Sequence, residues 1–234
     1  MNQGNRAFTN FKRPAKELIE RFRNIPLANI ADNMGRTPCI DQQIKNYGGS
    51  NRLLGTAFTV KVPAGDNLLF HMALDMIQPG DVLVIDGNGC MKRSQCGEIM
   101  TTYAYKKGCV GIVVDGLIRD VAGVRSVPIP VYARGVQANG PLKNGLGELL
   151  VPIPIGGVTI YPGDIIIGDD DGVLAVRPQD AEEVAAKAQN TFELETKLLE
   201  QIRTTGEWNR KVFWDSIEKS GVQRIDGTWE DYFC

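Results

Sequence analysis

Apolar positions along this chain follow two rhythms, a helical spacing of three to four residues and short unbroken runs, and their alternation is the first sign of its architecture. Leu18, Ile19 and Phe22 follow Pro14 at helical spacing, so a helix with proline in its first turn and an apolar face toward a core is expected there. A second short helix is expected over 27–32, a turn over 48–51 and a strand over 54–62. Leu68, Leu69, Met72, Ala73 and Met76 return to helical spacing behind Asp66 and Asn67, which can cap, and Pro79-Gly80 closes that helix. The run 81–86 reads as a buried strand. In 97–107 Ile99 pairs with Tyr103 and Met100 with Ala104 at i,i+4, and Lys106, Lys107 and Gly108 form a C-terminal cap. A strand over 110–114 follows.

Beyond it, 129–133, 157–160, 164–167 and 172–176 are short β-rich runs punctuated by Gly, Pro and Asp, which implies a mixed sheet. The segments 79–87 and 162–169 look alike, but two matches record one turn-into-strand solution rather than a repeat. A long helix is expected over 179–204, with Ala181, Ala185, Ala188, Phe192, Leu199 and Ile202 near one stripe and Glu195 lying within it. The tail after Gly206 carries Trp208, Phe213, Trp214, Trp229, Tyr232 and Phe233, too aromatic for a typical disordered terminus, and is expected to pack on this subunit or a neighbour. The expected fold class is layered α/β. One domain spans 1–234, with a core over about 25–178 and the helix and tail over 179–234.

Composition narrows the function classes. The 234 residues are 43% hydrophobic and 23% charged, ordinary for a soluble protein, and no apolar run approaches the ~18 residues of a membrane helix. A net charge of -2 makes nucleic acid a poor partner. Six basic residues in the first 25 stand against Glu17 and Glu20, and read better as a helix surface than as a targeting or nucleic-acid arm. Cys39, Cys90, Cys96, Cys109 and Cys234 are odd in number and form no CxxC pair. Neither a disulfide framework nor a zinc knuckle is indicated, and a reducing cytoplasm is the expected compartment.

The chemistry concentrates between Gly97 and Asp120. A glycine and Glu98 open a helix whose free amides can hold an anion, and a strand then ends in Asp-Gly-Leu-Ile-Arg-Asp. Arg119 supplies a cation and Asp120 a metal-seeking carboxylate at the carboxyl end of a strand, where open α/β sheets form ligand crevices. Glu98 suits the helix dipole for purely structural reasons, or joins Asp120 around an oxygen-liganded ion. Asp86, Asp115 and the run Asp169-Asp170-Asp171 are read as turn formers. The only histidine, His71, is read as structural, which excludes a His-rich metal centre. Cys96 is read as a packing residue, Gly87-Asn88-Gly89 lacks a nucleotide-loop spacing, and neither Lys61 nor Lys92 has a Schiff-base context.

Taken together, the segments 81–87, Gly97-Glu98-Ile99-Met100 and 113–120, in that order and spacing, resemble the RraA-like family. It includes class II 4-hydroxy-4-methyl-2-oxoglutarate/4-carboxy-4-hydroxy-2-oxoadipate aldolases and regulators of ribonuclease E activity. The resemblance covers about 25–202. It implies an α/β/α layered sandwich with a swivelling β/β/α-like core, assembled as homotrimers or homohexamers with sites at subunit interfaces. Under it, Gly97, Glu98, Ile99 and Met100 form the loop that holds pyruvate through backbone amides, Arg119 binds substrate, and Asp120 binds a divalent cation, Mg2+ or Mn2+. Glu98 contacts that metal through water, and Glu195 corresponds to a carboxylate from a neighbouring subunit. Cys96 departs from the tryptophan often found before this loop, and the aromatic tail is longer than in the shorter regulators. The implied activity is metal-dependent cleavage of a 2-oxo acid to release pyruvate, with oxaloacetate decarboxylation as a companion. The rival is a non-catalytic regulator that binds and inhibits an RNA-processing enzyme.

Overall fold

The structure is a computed structural model that describes residues 4–35 and 39–233; Cys234 lies outside them. In chain order the elements are β1 (Arg6–Ala7), α1 (Lys16–Glu20), α2 (Leu27–Asp32), β2 (Lys45–Asn46), β3 (Leu53–Lys61), α3 (Leu68–Met76), β4 (Asp81–Asp86), β5 (Ser94–Cys96), α4 (Glu98–Lys106) and β6 (Gly111–Ile118). There follow α5 (Val121–Ser126), β7 (Val131–Val136), β8 (Glu148–Leu149), β9 (Ile153–Ile155), β10 (Val158–Ile160), β11 (Ile165–Asp169), β12 (Gly172–Val176), α6 (Ala181–Thr205), α7 (Lys211–Lys219) and α8 (Glu230–Phe233).

Four strands, β3, β4, β6 and β7, lie side by side and parallel, with their carboxyl ends at one edge. Every residue of β4 is buried, as expected of a strand covered on both faces. Leu83 and Ile85 face a cluster that includes Phe70 and Ala73 of α3, Met100 and Ala104 of α4, and Val124 of α5. Val82 and Val84 face the other way, toward Ile153, Ile155 and Ile160 of the small β9/β10 sheet. The second flank of β3 is divided between β11 at residues 53–56 and β8 at residues 60–61, both antiparallel. A third cluster joins Phe22, Leu27 and Ile30 to Ile165 and Ile167 of β11 and to Ala181, Ala185 and Ala188 of α6. Truncating one fully buried member such as Phe22 would cost about 3–5 kcal/mol.

The helices at 27–32 and 68–76 and the strand at 81–86 form where the periodicity places them. The expected strand at 110–114 instead runs on to Ile118. Its extension is stabilised sideways: Asp115 accepts hydrogen bonds from Arg134 and from the Gly156 N–H. Past the end of β4 the flank of β6 is open, and β5 fills it by pairing with Leu117 and Ile118. Four of the six basic N-terminal residues form ion pairs within the chain, Arg6 with Glu148, Arg13 with Asp81, Arg21 with Glu182 and Arg23 with Glu20.

The chain divides into two compact units, residues 1–192 and 193–234, with the division inside α6. In the second unit the Trp208 and Phe213 rings meet edge to face at 5.6 Å, and Lys211 pairs with Asp215 at 2.7 Å. Trp208, Phe213, Trp214, Trp229 and Tyr232 all keep large exposed areas. No helix among the described residues is long and apolar enough to cross a membrane.

Candidate functional site

The site forms where β5 and β6 end together. The Arg119 N–H donates to the Cys96 carbonyl at 2.9 Å, so the residues leaving β6 start beside those entering α4. Asp120 then takes up a left-handed conformation, φ 56° and ψ 41°, and turns the chain into α5. That conformation disfavours a residue with a Cβ, and such strain clusters at functional sites. The Asp120 side chain accepts no cap hydrogen bond from α5. Its carboxylate instead lies 3.5 Å from Arg119 Nε, with the two side chains 43% and 47% exposed.

Gly97 is the N-cap of α4 in extended conformation. A Cβ added there would stand 2.5 Å from Asp120 Oδ2, so the bare backbone is what lets the carboxylate lie against the helix start. The first-turn amides of α4 have no intrahelical acceptors, and no side chain caps them. The Thr101 hydroxyl donates to the Gly97 carbonyl at 3.0 Å, and Asn67 Nδ2 donates to Met100 Sδ at 3.3 Å, which fixes the turn from inside. Ile99, 82% exposed, stands at the mouth. The i,i+4 pair of Ile99 and Tyr103 therefore lies on the open side of α4, because Met100, Thr101 and Ala104 form its buried face.

Gly97, Ile99, Met100, Arg119 and Asp120 line one cleft of about 300 Å³. Glu98 is not on its wall. The Glu98 carboxyl folds over Gly123 of α5, where an added Cβ would stand 2.1 Å from it. Glu195 is an exposed residue of the second unit. Cys96 is buried, and burial pushes its thiol up to about 11, so it is no activated nucleophile. Asp86 and Asp169 bind the N–H groups of Asn88 and of Leu27 and Asp171, in keeping with turn-forming roles.

The opposite wall holds residues that the sequence did not single out as ligands. His71 lies there rather than in the core, because α3 buries Phe70, Ala73 and Leu74 instead. Lys143 joins it from the loop after β7, with Nζ 3.0 Å from His71 Nε2 and 3.3 Å from Asn67 Oδ1. Burial, and then the Lys143 charge, lower the His71 pKa. No periodicity marks a lysine in an irregular loop, and Asn67 reads in sequence only as a cap. The Asn67 amide instead donates to Met100 Sδ and the Gln95 carbonyl, while the Asp66 carboxylate receives the Leu68 N–H.

A crevice at the carboxyl edge of a mixed α/β sheet, with an Arg-Asp pair facing uncapped helix amides, has the chemistry to accept a small anion. Residues 27–175 match the family described as RraA-like, Aldolase/RraA, and the chain belongs to that family. A protein of Halalkalibacterium halodurans named "Putative 4-hydroxy-4-methyl-2-oxoglutarate aldolase" is 38% identical over 173 residues, 74% of this chain and 82% of the relative. Among solved structures, an unusual member of the RNase ES inhibitor RraA family from Streptomyces coelicolor superposes with TM-score 0.73 at 27% identity, covering 82% of this chain and 100% of that one. The RNA-processing inhibitor RraA of Thermus thermophilus gives TM-score 0.61 at 30% identity, covering 64% of this chain and 92% of its own.

Proposed function

We propose that this chain is a divalent-metal-dependent lyase that cleaves a carbon–carbon bond of a 2-oxo acid to release pyruvate. The reaction would resemble that of 4-hydroxy-4-methyl-2-oxoglutarate aldolases, with oxaloacetate decarboxylation as a companion activity. The observation that carries the reading is the strained Asp120 carboxylate set against both Arg119 and the α4 N-terminus in one cleft. The name of the Halalkalibacterium relative supports the same choice of chemistry.

The donor set suits magnesium or manganese. Asp120 offers a half-exposed carboxylate to the cleft, and no group of three or more His, Cys, Asp or Glu among the described residues could hold a cation. Mg2+ binds in this way, through one or two carboxylates while keeping several waters; zinc would want three or four protein ligands. When bound at Asp120, such an ion supplies Lewis acidity to the 2-oxo group. Arg119 and the amides of Ile99 and Met100 hold the substrate carboxylate and fix the scissile bond beside Asp120. Glu98, whose carboxyl packs over Gly123 and off the cleft wall, would reach the site only through water, as the acceptor of a proton, and Glu195 of a second subunit completes the acidic set in a homotrimer or homohexamer. A cytoplasmic setting fits the free cysteines.

The competing reading is an RNase-binding regulator, favoured by the Streptomyces and Thermus relatives. Pyruvate release from 4-hydroxy-4-methyl-2-oxoglutarate and oxaloacetate by wild type, Arg119→Ala and Asp120→Ala separates the two. Turnover in wild type that is lost in both variants supports the lyase. Silence on both substrates, with a large RNase co-purifying at stoichiometric level, supports the regulator.

A further inference from the structure

At the amino edge of the parallel strands, where Asp81 opens β4, the chain forms a second cavity of about 490 Å³ that shares no residue with the Asp120 cleft. One wall is the N-terminal segment from Lys12 to Leu18, and the other is the turn into β11 together with residues 177–179. That segment is held closely over the turn. Gly163 has φ 93°, and a Cβ on it would stand 2.6 Å from the Lys12 carbonyl oxygen. Phe11 anchors the segment to the core, its ring edge to face with Phe58 of β3 at 5.9 Å.

Three cations, Lys12, Arg13 and Arg177, line this cavity against one carboxylate, Asp164. Each guanidinium is stacked on a ring and backed by a buried acid. Arg13 lies 4.1 Å from the Phe11 ring centroid and grips Asp81 through Nε at 2.9 Å and Nη2 at 2.7 Å. Arg177 lies 3.8 Å from the Tyr161 centroid, with Nε 3.1 Å from Asp164 Oδ1 but out of hydrogen-bond alignment. Stacking and ion pairing fix both guanidinium planes in advance. Both acids are sealed in the fold, while the two arginine side chains stay partly accessible. Lys12 is exposed and pairs with no carboxylate among the described residues, and the terminal nitrogens of Arg177 donate to no group among them. Pro14, Leu18 and Pro162 supply apolar surface to the same walls.

We infer that this cavity is a second ligand site, for a phosphate monoester whose phosphate is held by Lys12, Arg13 and Arg177 and whose apolar part rests on Pro14, Leu18 and Pro162. Guanidinium forks match phosphate oxygens in pairs, and a dianionic phosphate uses three cationic donors more fully than a single carboxylate does. The site binds and does no chemistry, and it stands whether or not the Asp120 cleft is a lyase.

Calorimetric titration of the full chain with phenyl phosphate and with inorganic phosphate tests the assignment. Wild type is expected to bind phenyl phosphate at least about fivefold more tightly than inorganic phosphate, because the ring buries apolar surface on the prolines and Leu18. Arg177→Met should weaken phenyl phosphate at least about tenfold and Lys12→Met at least about threefold, while Arg119→Ala, in the separate cleft, should leave its affinity within about twofold. Lys12 is exposed and unpaired, so its variant keeps the test open even where Arg177→Met folds poorly. Absence of binding by wild type, equal affinity for the two phosphates, or unchanged affinity in Lys12→Met would overturn the site. Loss of phenyl phosphate binding in Arg119→Ala would move the anion to the cleft and overturn it as well.

Discussion

Replacing Asp120 by glycine should separate what the residue does for the fold from what it does for the site. Its left-handed backbone would cost an alanine about 1–2 kcal/mol, and aspartate rather less because its short polar side chain tolerates that region. Glycine removes this cost but adds about 0.4–1 kcal/mol of unfolded-chain entropy to be lost on folding. Among the described residues the one ion pair given up is the half-exposed pairing with Arg119 at 3.5 Å, worth about 0–1 kcal/mol, and the carboxylate makes no cap bond to α5. Asp120→Gly should therefore lie within about 1 kcal/mol of wild type. Asp120→Ala should be about 0.5–1 kcal/mol less stable than Asp120→Gly, a difference of about 1–4 °C in Tm for a chain of this size. Both should lose pyruvate release by at least about a hundredfold. Urea unfolding followed by circular dichroism, with a coupled pyruvate assay on the same samples, reads both effects. A glycine variant destabilised by more than about 2 kcal/mol would refute the reasoning, because Asp120 would then hold the fold rather than be strained by it.

Three further outcomes follow from other parts of the molecule. Gly116→Ala would put a Cβ 1.9 Å from the buried Gln95 Oε1 and should cost about 1–3 kcal/mol; adding Gln95→Ala, which also removes a buried amide lacking a partner, should recover more than half of that in a double-mutant cycle. Burial raises the Asp164 carboxyl from 3.8 to about 6, so the folded state binds the extra proton between those values and stability falls as pH rises through that window. Arg177 and solvent temper the effect to about 1–2 kcal/mol, and a smaller drop in urea midpoint from pH 4 to 7 in Asp164→Asn than in wild type is the check. Burial pushes Cys96 and Cys109 up to about 11; burial also raises the Cys39 thiol, but its side chain is exposed, so iodoacetamide at pH 8 should modify Cys39 faster and leave those two unlabelled in the native protein; labelling of Cys96 at a comparable rate would refute its packing role.

What the sequence could and could not reveal follows from how each element is stabilised. The strand at 81–86 and the helix at 68–76 are written in runs and periods of apolar residues, because each buries its own face. β5 and β8 are two or three residues long and exist because neighbouring strands leave flanks to fill, which no local pattern records. Gly97, Arg119 and Asp120 stand out by their positions at a helix start and a strand end, and the structure places all three on one cleft wall. The left-handed turn at Asp120 was not legible, since aspartate is ordinary at any N-cap. His71 reads as structural because its helix is apolar, yet the fold turns it toward the cleft. Lys143 meets it across 72 residues of chain, a contact made by tertiary folding alone.

The most direct test of the central claim is pyruvate release from 4-hydroxy-4-methyl-2-oxoglutarate by protein stripped of metal, then titrated with Mg2+ or Mn2+. Release in excess EDTA should not exceed the uncatalysed rate and should recover saturably on adding either ion, with Asp120→Gly unresponsive throughout. Full release in excess EDTA would contradict that claim.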